Sequence, residues 1–360
     1  MTKLTKQDIK LELTKNPKEK PDQSALGFGQ IFSDHMFQMD WTPEKGWHNP
    51  RIEEYSPLSL SPANATLHYG QAVFEGMKAY IAKGEAVLFR PQENFKRLNK
   101  SAERMALPQL DEEFALTALK ELLKVDKDWI PTADGTSLYI RPFMFAADEY
   151  LGVKAGEKVK FLIILSPSGA YFKDGLQPNK IFVEKEYVRA VRGGTGFAKA
   201  AGNYAGSLLG QQKAAKLGYA QTLWLDGVEQ KYVEEVGAMN IFFKVDGKFL
   251  TPELNGSILP GITRDSIIQL LKHNGESVEE RKVAIAELYE AAENGKLEEI
   301  FGSGTAAVVS PVGELFDGER KVVVNNFETG QSTKDVYEQL TGIQLGKVED
   351  PFGWVEKVEE

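Results

Sequence analysis

The chain has 360 residues, 42% of them hydrophobic and 26% charged, with 43 Lys and Arg against 52 Asp and Glu for a net charge of −9. It contains four His and no Cys, which excludes disulfides, iron–sulfur clusters, thiolate zinc sites and Cys nucleophiles. The acidic balance argues against a nucleic-acid backbone or an anionic membrane as the main partner, and a chain of this length is expected to form about two domains.

Taken in chain order, residues 1–23 are polar, with Pro17 and Pro21 among Lys and Glu, and read as a flexible arm or an edge segment. No signal-peptide core is present, no Arg occurs before Arg51, and Asp8, Glu12 and Glu19 argue against a transit peptide. Globular patterning begins near Ser24. Two short apolar runs within 77–89 flank Ala82-Lys83-Gly84-Glu85, a hairpin signal. Phe95, Leu98, Ala102 and Met105 recur at helical spacing across 93–107, as do Phe114, Ala118, Leu122, Val125 and Trp129 further on. Residues 161–165 form a continuous apolar run ending at Pro167, the pattern of a buried strand. It is far shorter than the ~18 residues of a spanning helix, so a cytoplasmic protein without a membrane partner is expected.

Residues 173–180 carry Gly175, Pro178 and Asn179 and read as a linker between a smaller domain over 24–172 and a larger one over 181–360. In the second block, Asp226-Gly227 and Asp246-Gly247 predict hairpins. Helices are expected over about 203–217, 264–274 and 284–294, each followed by Gly (Gly218, Gly275, Gly295). Two blocks with hairpins, and no strict βαβ alternation, argue for an α+β fold over a doubly wound sheet.

Among motifs, no Walker-type phosphate loop occurs. Residues 302–307 fit G-x-G-x-x-[GA], but a dinucleotide loop must open a helix, and Val308-Val309-Ser310-Pro311 is strand-like and then broken. His35, His48, His68 and His273 are scattered, so no metal centre is expected. Lys199 sits among small and apolar residues in Gly193-Gly194-Thr195-Gly196-Phe197-Ala198-Lys199-Ala200-Ala201-Gly202-Asn203-Tyr204. Desolvation there would lower its pKa and make the amine a nucleophile for carbonyls. On composition alone, a solvated Lys in a glycine-rich turn is the simpler reading. Glu235 in Glu234-Glu235-Val236-Gly237-Ala238 fits a carboxylate beneath a ligand ring, or an ordinary exposed strand end. Residues 259–265 precede an amphipathic helix, whose free N–H groups suit a phosphate or simple capping. An amine, a carboxylate and two candidate phosphate loops, at 259–265 and 302–305, together match what pyridoxal phosphate needs.

With these parts in hand, the sequence resembles the branched-chain amino acid aminotransferases, fold type IV pyridoxal-phosphate enzymes, in their larger type. The resemblance runs from about Phe28 past Pro311. It is carried by residues 32–36, 67–80, 88–91, 139–142, 199–204, 235–240, 259–264 and 302–306. It implies a two-domain fold, a smaller α/β domain and a larger β-barrel-like domain with helices, in a homodimer that takes amino acids and 2-oxo acids. Lys199 would hold the cofactor as a Schiff base and shuttle the proton at the substrate Cα. Glu235 would pair with the pyridine nitrogen and Tyr204 with the phenolic oxygen. Arg90, Ile262, Thr263 and Thr305 would bind the phosphate, and Arg189 would lie near the cofactor.

Phe28, Tyr69, Phe74, Tyr139 and Tyr171 would line the side-chain pocket, with Val153 contributed by the partner subunit. Ala238 and Ala306 belong to the substrate-facing motifs, and Arg141 would meet the distal carboxylate of glutamate. The implied activity is amino transfer from L-leucine, L-isoleucine or L-valine to 2-oxoglutarate. A D-amino acid aminotransferase or an aminodeoxychorismate lyase of the same fold type is the alternative. Two departures stand out: Ala238 replaces a common Thr, and Ala307 and Ser310 stand where some animal members carry a Cys-x-x-Cys pair, so a thiol switch is impossible here.

Overall fold

The computed structural model describes residues 3–171 and 175–359. The described residues up to Ala170, with Ala198–Gly202 and Ile343 onward, form one compact unit; Tyr171–Phe197 and Asn203–Gly342 belong to the other. The expected boundaries at 172 and 173 and the end at 360 fall outside the described residues. Two described stretches also depart from a single crossing, and backbone pairing explains both. Phe74 N donates to Lys199 O at 3.1 Å and Val73 bridges Ala200, so the lysine segment belongs to the first unit. The C-terminal strand pairs there too.

The first unit holds a nine-stranded sheet. Its strands are β1 (Lys10–Glu12), β2 (His35–Thr42), β3 (Gly46–Glu54), β4 (Ala72–Phe74), β5 (Met77–Ala82), β6 (Glu85–Phe89), β7 (Ser137–Ala146), β8 (Val159–Ser168) and the last strand, β18 (Val355–Lys357). The order is β1-β3-β2-β8-β7-β5-β6-β18, with β4 also on β7. All pairs are antiparallel except β1–β3. Residues 10–12 of the polar N-terminal segment thus form an edge strand, and Thr14 N donates to the buried His35 Nε2 at 3.0 Å. The apolar run at 161–165 is the centre of β8, which continues through Pro167 to Ser168.

Helix α1 (Ala65–Tyr69) precedes β4. Helix α2 (Pro91–Arg104) opens with Pro at its first turn, where no N–H is needed. Helix α3 (Glu112–Val125) is capped by Asp111, whose carboxylate accepts from Phe114 N at 3.1 Å. The periodic residues Phe95, Leu98, Ala102, Phe114, Ala118 and Leu122 pack with Phe37, Ile140 and Phe161 of the sheet in one core. The helical spacing overruns at both ends: α2 stops at Arg104 with Met105 as its C-cap, and Trp129 lies in a separate short 3-10 turn beyond α3.

The second unit holds β9 (Asn179–Val183), β10 (Gln221–Leu225), β11 (Val233–Val236), β12 (Asn240–Val245), β13 (Lys248–Pro252), β14 (Val278–Arg281), β15 (Leu297–Gly304), β16 (Val308–Phe316) and β17 (Lys321–Val323). Their order is β11-β10-β9-β16-β15-β12-β13-β14, with β17 on β16. Helices α4 (Ala201–Lys216), α5 (Ile262–His273), α6 (Ile285–Glu293) and α7 (Gln331–Gln344) complete the set. The first three match the expected helices; α7 was not foreseen.

Asp246-Gly247 makes the predicted tight hairpin, with φ of 51° and 76°. Asp226-Gly227 does not. Its strands pair, but the loop is longer, because the Asp226 carboxylate gathers the N–H groups of Val228, Glu229, Lys231 and Tyr232 into a wider turn. Gly302, Ser303 and Gly304 lie in β15, so this stretch opens no helix.

Candidate active site

In the first unit, the side chains singled out above gather on β4, β7 and the lysine segment. Lys199 Nζ lies 4.9 Å from the centre of the Phe74 ring, and the Arg141 guanidinium lies 4.7 Å from the same ring and 5.3 Å from that of Tyr139. Arg141 Nη2 donates to Tyr139 Oη at 3.0 Å, while Arg141 Nε is buried without a hydrogen-bond partner. An orphaned guanidinium donor is the feature that a carboxylate ligand would satisfy. The Phe28 ring packs edge-on against Tyr139 at 4.8 Å, and Tyr69 Oη donates to Leu151 O. Gly76 makes room for this cluster: a Cβ there would stand 2.1 Å from Tyr139 Oη.

Arg90 precedes α2 with φ 49°, ψ 44°, a left-handed conformation uncommon for a non-glycine residue and often found at functional positions. Its N donates to Trp354 O at 2.8 Å and its guanidinium lies 5.3 Å from the Trp354 ring. Tyr171 and Val153 are exposed, and partial desolvation raises the phenol of Tyr171 above its ordinary value.

The second unit assembles the remaining candidates from strand ends and loops. Glu235 is buried in β11, not exposed at a strand end. Its Oε1 accepts from Leu259 N at 2.8 Å, and Arg189 Nε sits 3.1 Å from its Oε2. Arg189 also donates to Ser257 O and to Gly196 O, so the Glu235 carboxylate is braced by the loop before α5. The neighbouring Glu234 is raised above the usual carboxylate range by burial, against hydrogen bonds from Ser257 and Asn255 that lower it.

Helix α5 begins at Ile262 and Thr263 with Gly261 as N-cap and no side-chain cap. Gly261 is required by close approach, since a Cβ would lie 2.0 Å from Asn240 Oδ1, whose amide in turn donates to Leu259 O at 2.9 Å. Thr305 and Ala306 follow β15 directly and are half-buried; Ala238 is exposed in the β11–β12 turn. Ser303 Oγ is buried and orphaned. Tyr204, half-buried, stands in the first turn of α4, whose start is braced by Asn203 Nδ2 donating to Thr195 O at 2.8 Å. A buried carboxylate, an uncapped helix start and an orphaned hydroxyl are the donor and acceptor set that a protonated ring nitrogen and a phosphate call for.

Two groups escaped the sequence reading. Glu75 is fully buried, with Arg97 Nε and Nη2 on its two oxygens at 2.7 and 2.8 Å. Ser101 is equally buried, and its Oγ accepts from Lys199 N at 2.8 Å. The signal was there as a polar stripe, Asn94, Arg97 and Ser101, beside the apolar one on α2. Among the described residues, no cluster of His, Asp and Glu could hold a metal ion, and no helix is long and apolar enough to cross a membrane.

Comparisons with known proteins agree with one another. A family model described as amino-transferase class IV matches residues 72–315. Over 356 residues the chain is 58% identical to Branched-chain-amino-acid aminotransferase 2 of Bacillus subtilis (strain 168), covering 99% of this chain and 98% of that protein. It is 46% identical to the branched-chain-amino-acid aminotransferase of Mycolicibacterium smegmatis over 92% of each. The solved structure of the Escherichia coli branched-chain amino acid aminotransferase matches with a TM-score of 0.74 at 29% identity, covering 91% of this chain and 99% of that one. A solved branched-chain amino acid aminotransferase from T.th., with pyridoxamine 5′-phosphate, matches at 0.75 and 27%, covering 89% and 98%. With full-length identity at this level and the same backbone, the chain belongs to the branched-chain-amino-acid aminotransferases, within the pyridoxal-phosphate-dependent class IV aminotransferases of fold type IV.

Proposed function

We propose that this enzyme reversibly transfers the amino group of L-leucine, L-isoleucine or L-valine to 2-oxoglutarate, giving the branched-chain 2-oxo acid and L-glutamate, with Lys199 as the Schiff-base lysine for pyridoxal phosphate. The observation that carries this reading is the arrangement around Phe74: the Lys199 amine and the Arg141 guanidinium rest on one ring, and Arg141 Nε has no hydrogen-bond partner. An amine for the chemistry and a donor for a carboxylate thus flank an aromatic wall. That combination suits one pocket that takes a branched aliphatic side chain in one half-reaction and a glutamate side chain in the other. Such a cage discriminates among Leu, Ile and Val weakly, because one methylene is worth about 1–3 kcal/mol.

Bound pyridoxal phosphate supplies an electron-withdrawing ring that accepts the electrons left when Cα loses its proton. The chain's own residues do the rest. Lys199 Nζ removes the proton from the substrate Cα as general base and later returns it as general acid. Glu235, held by Arg189 and Leu259 N, would keep a proton on the ring nitrogen. Tyr204 would donate to the phenolic oxygen. Arg90, the N–H groups of Ile262 and Thr263, and Thr305 would hold the phosphate. Phe28, Tyr69, Tyr139 and Tyr171 would enclose the substrate side chain, with Ala238 and Ala306 near its carboxylate.

We also read the protein as a cytoplasmic homodimer. Tyr150, Leu151 and Val153 are 53%, 63% and 84% exposed, an apolar loop that a second copy would cover. Sedimentation should give a dimer; a fully active monomer would overturn this.

The purified protein should be yellow, change its visible spectrum with L-leucine, and recover the original spectrum with 2-oxoglutarate. Turnover of D-alanine with none of L-leucine would sink the substrate assignment. Normal turnover by Lys199→Ala would sink the mechanism.

A further inference from the structure

Helix α2 has two working faces. Phe95, Leu98 and Ala102 fill the core of the first unit. Asn94, Arg97 and Ser101, spaced i, i+3 and i+7, share another side of the helix. They are 3%, 7% and 0% exposed. Long polar side chains are seldom buried to this degree unless every donor finds a partner.

Their partners lie along one short stretch of structure. Arg97 grips both oxygens of Glu75, at 2.7 and 2.8 Å. Asn94 Nδ2 donates to Glu75 Oε2 at 2.8 Å and to Gly76 O at 3.3 Å. Gly76 N adds a further donor to Oε2 at 3.2 Å. Ser101, one turn on, accepts from Lys199 N at 2.8 Å.

Glu75 follows β4 directly, and β4 is bonded on both sides. One side pairs with β7, through Ala72↔Phe145, Val73↔Met144 and Phe74↔Phe143. The other meets the lysine segment, through Phe74 N to Lys199 O at 3.1 Å and the Val73↔Ala200 bridge. A shift at Glu75 therefore moves Phe74, and with it the backbone of Lys199.

We propose that the Asn94–Arg97–Ser101 face of α2, acting through Glu75 and the Lys199 backbone, is a positioning device that holds the Lys199 amine against Phe74. These are positioning residues; none is assigned contact with substrate. The inference rests on Lys199 being the reactive lysine. Its physical basis is saturation. A carboxylate with bidentate Arg and two further N–H donors has a single low-energy placement. Replacing a buried ion pair by apolar groups of similar volume commonly leaves stability little changed, so the two effects, stability and position, can be separated.

The test uses the full chain with Glu75→Gln combined with Arg97→Met, which removes both charges and keeps an acceptor for Asn94. Ser101→Ala is the second variant. Two measurements are made: amide hydrogen exchange in the cofactor-free protein, and kcat and KM in the holoenzyme. The expected result for the paired variant is exchange about tenfold or more faster at the Phe74 and Lys199 amides, with the β7–β8 amides unchanged. kcat should fall about 10- to 100-fold with KM for 2-oxoglutarate within about threefold, as expected when a reacting group is misplaced by about an ångström. Ser101→Ala should act in the same direction and more weakly.

Unchanged exchange at both amides in both variants overturns the proposal. So does faster exchange spread evenly over the sheet, which would mark general loosening. If the wild-type enzyme proves inactive with branched-chain substrates, the exchange measurement still decides the positioning claim on its own.

Discussion

The two units carry their candidate groups in different materials. The first unit builds with side chains: a lysine, an arginine and a set of aromatic rings, standing on strands whose register is fixed over ten paired residues between β7 and β8. The second builds largely with backbone: an uncapped helix start, glycines crowded by neighbours, and one carboxylate whose position is set by Leu259 N and Arg189. Side chains can be swapped to suit a substrate, whereas backbone N–H groups suit an invariant anion such as a phosphate. On the proposed reading, the first unit would supply most of the substrate-facing side chains together with Lys199 and Arg90, and the second the backbone donors for the phosphate and the carboxylate for the ring nitrogen.

The largest expected effect falls on the chemistry itself. Lys199→Ala should lower kcat by more than about a thousandfold, since on the proposed mechanism one side chain is both the nucleophile and the proton carrier. The next is Glu235→Gln. It keeps the acceptor for Leu259 N but removes the negative charge beside Arg189, and should lower kcat by about a hundredfold, a scale typical for loss of one preorganised electrostatic group. Presteady-state spectra with L-leucine check both. A Glu235→Gln enzyme that reacts at the wild-type rate would remove the second unit's main chemical role.

Two glycine substitutions cross-examine the division of labour. Gly76→Ala pushes a methyl group into Tyr139 Oη, 2.1 Å from the ideal Cβ, and so displaces the residue on which Arg141 leans. KM for 2-oxoglutarate should rise about tenfold, with cofactor affinity nearly unchanged. Gly261→Ala meets Asn240 Oδ1 at 2.0 Å and disturbs the bond from Asn240 to Leu259 O. There the expected loss is about tenfold in pyridoxal-phosphate affinity, read by equilibrium dialysis, with KM values little changed. If each variant produced the other's phenotype, the comparison between the units would be broken.

How much of this was legible in the sequence follows the same line. Helices α2, α4, α5 and α6 were readable because their apolar spacing or terminal glycines are local signals. The Asp246-Gly247 hairpin was readable because two left-handed residues need that dipeptide. Asp226-Gly227 misled, because its carboxylate binds four N–H groups that only the folded loop brings near. The site motifs were readable chiefly through resemblance; on spacing alone, Lys199 and Glu235 were ordinary. The Glu75–Arg97 pair joins residues 22 apart, and the Ser101–Lys199 bond joins residues 98 apart. No periodicity encodes such contacts. The membership of 198–202 in the first unit likewise depends on strand pairing that has no local signature.

The smallest expected effect concerns what the first unit's side-chain design costs. Lys78 stands on β5 opposite Tyr139 in the strand register, and burial pulls its ammonium down to about 8. In the unfolded chain a lysine titrates near about 10.4. The folded state therefore loses its proton first. Between these values the unfolded chain binds more protons, so stability rises with pH from about 8 to about 10.4 and is lowest, and flat with respect to this group, below 8. Lys78→Met keeps the length and removes the charge. It should stabilise the protein by about 1–2 kcal/mol at neutral pH, allowing for incomplete desolvation of the long side chain. The gain should shrink as pH rises through the same window. Thermal melts of both proteins at several pH values from 7 to about 10.5 would show it, and a gain that grows with pH would mean that Lys78 is stabilised as the cation and that its burial imposes no such cost.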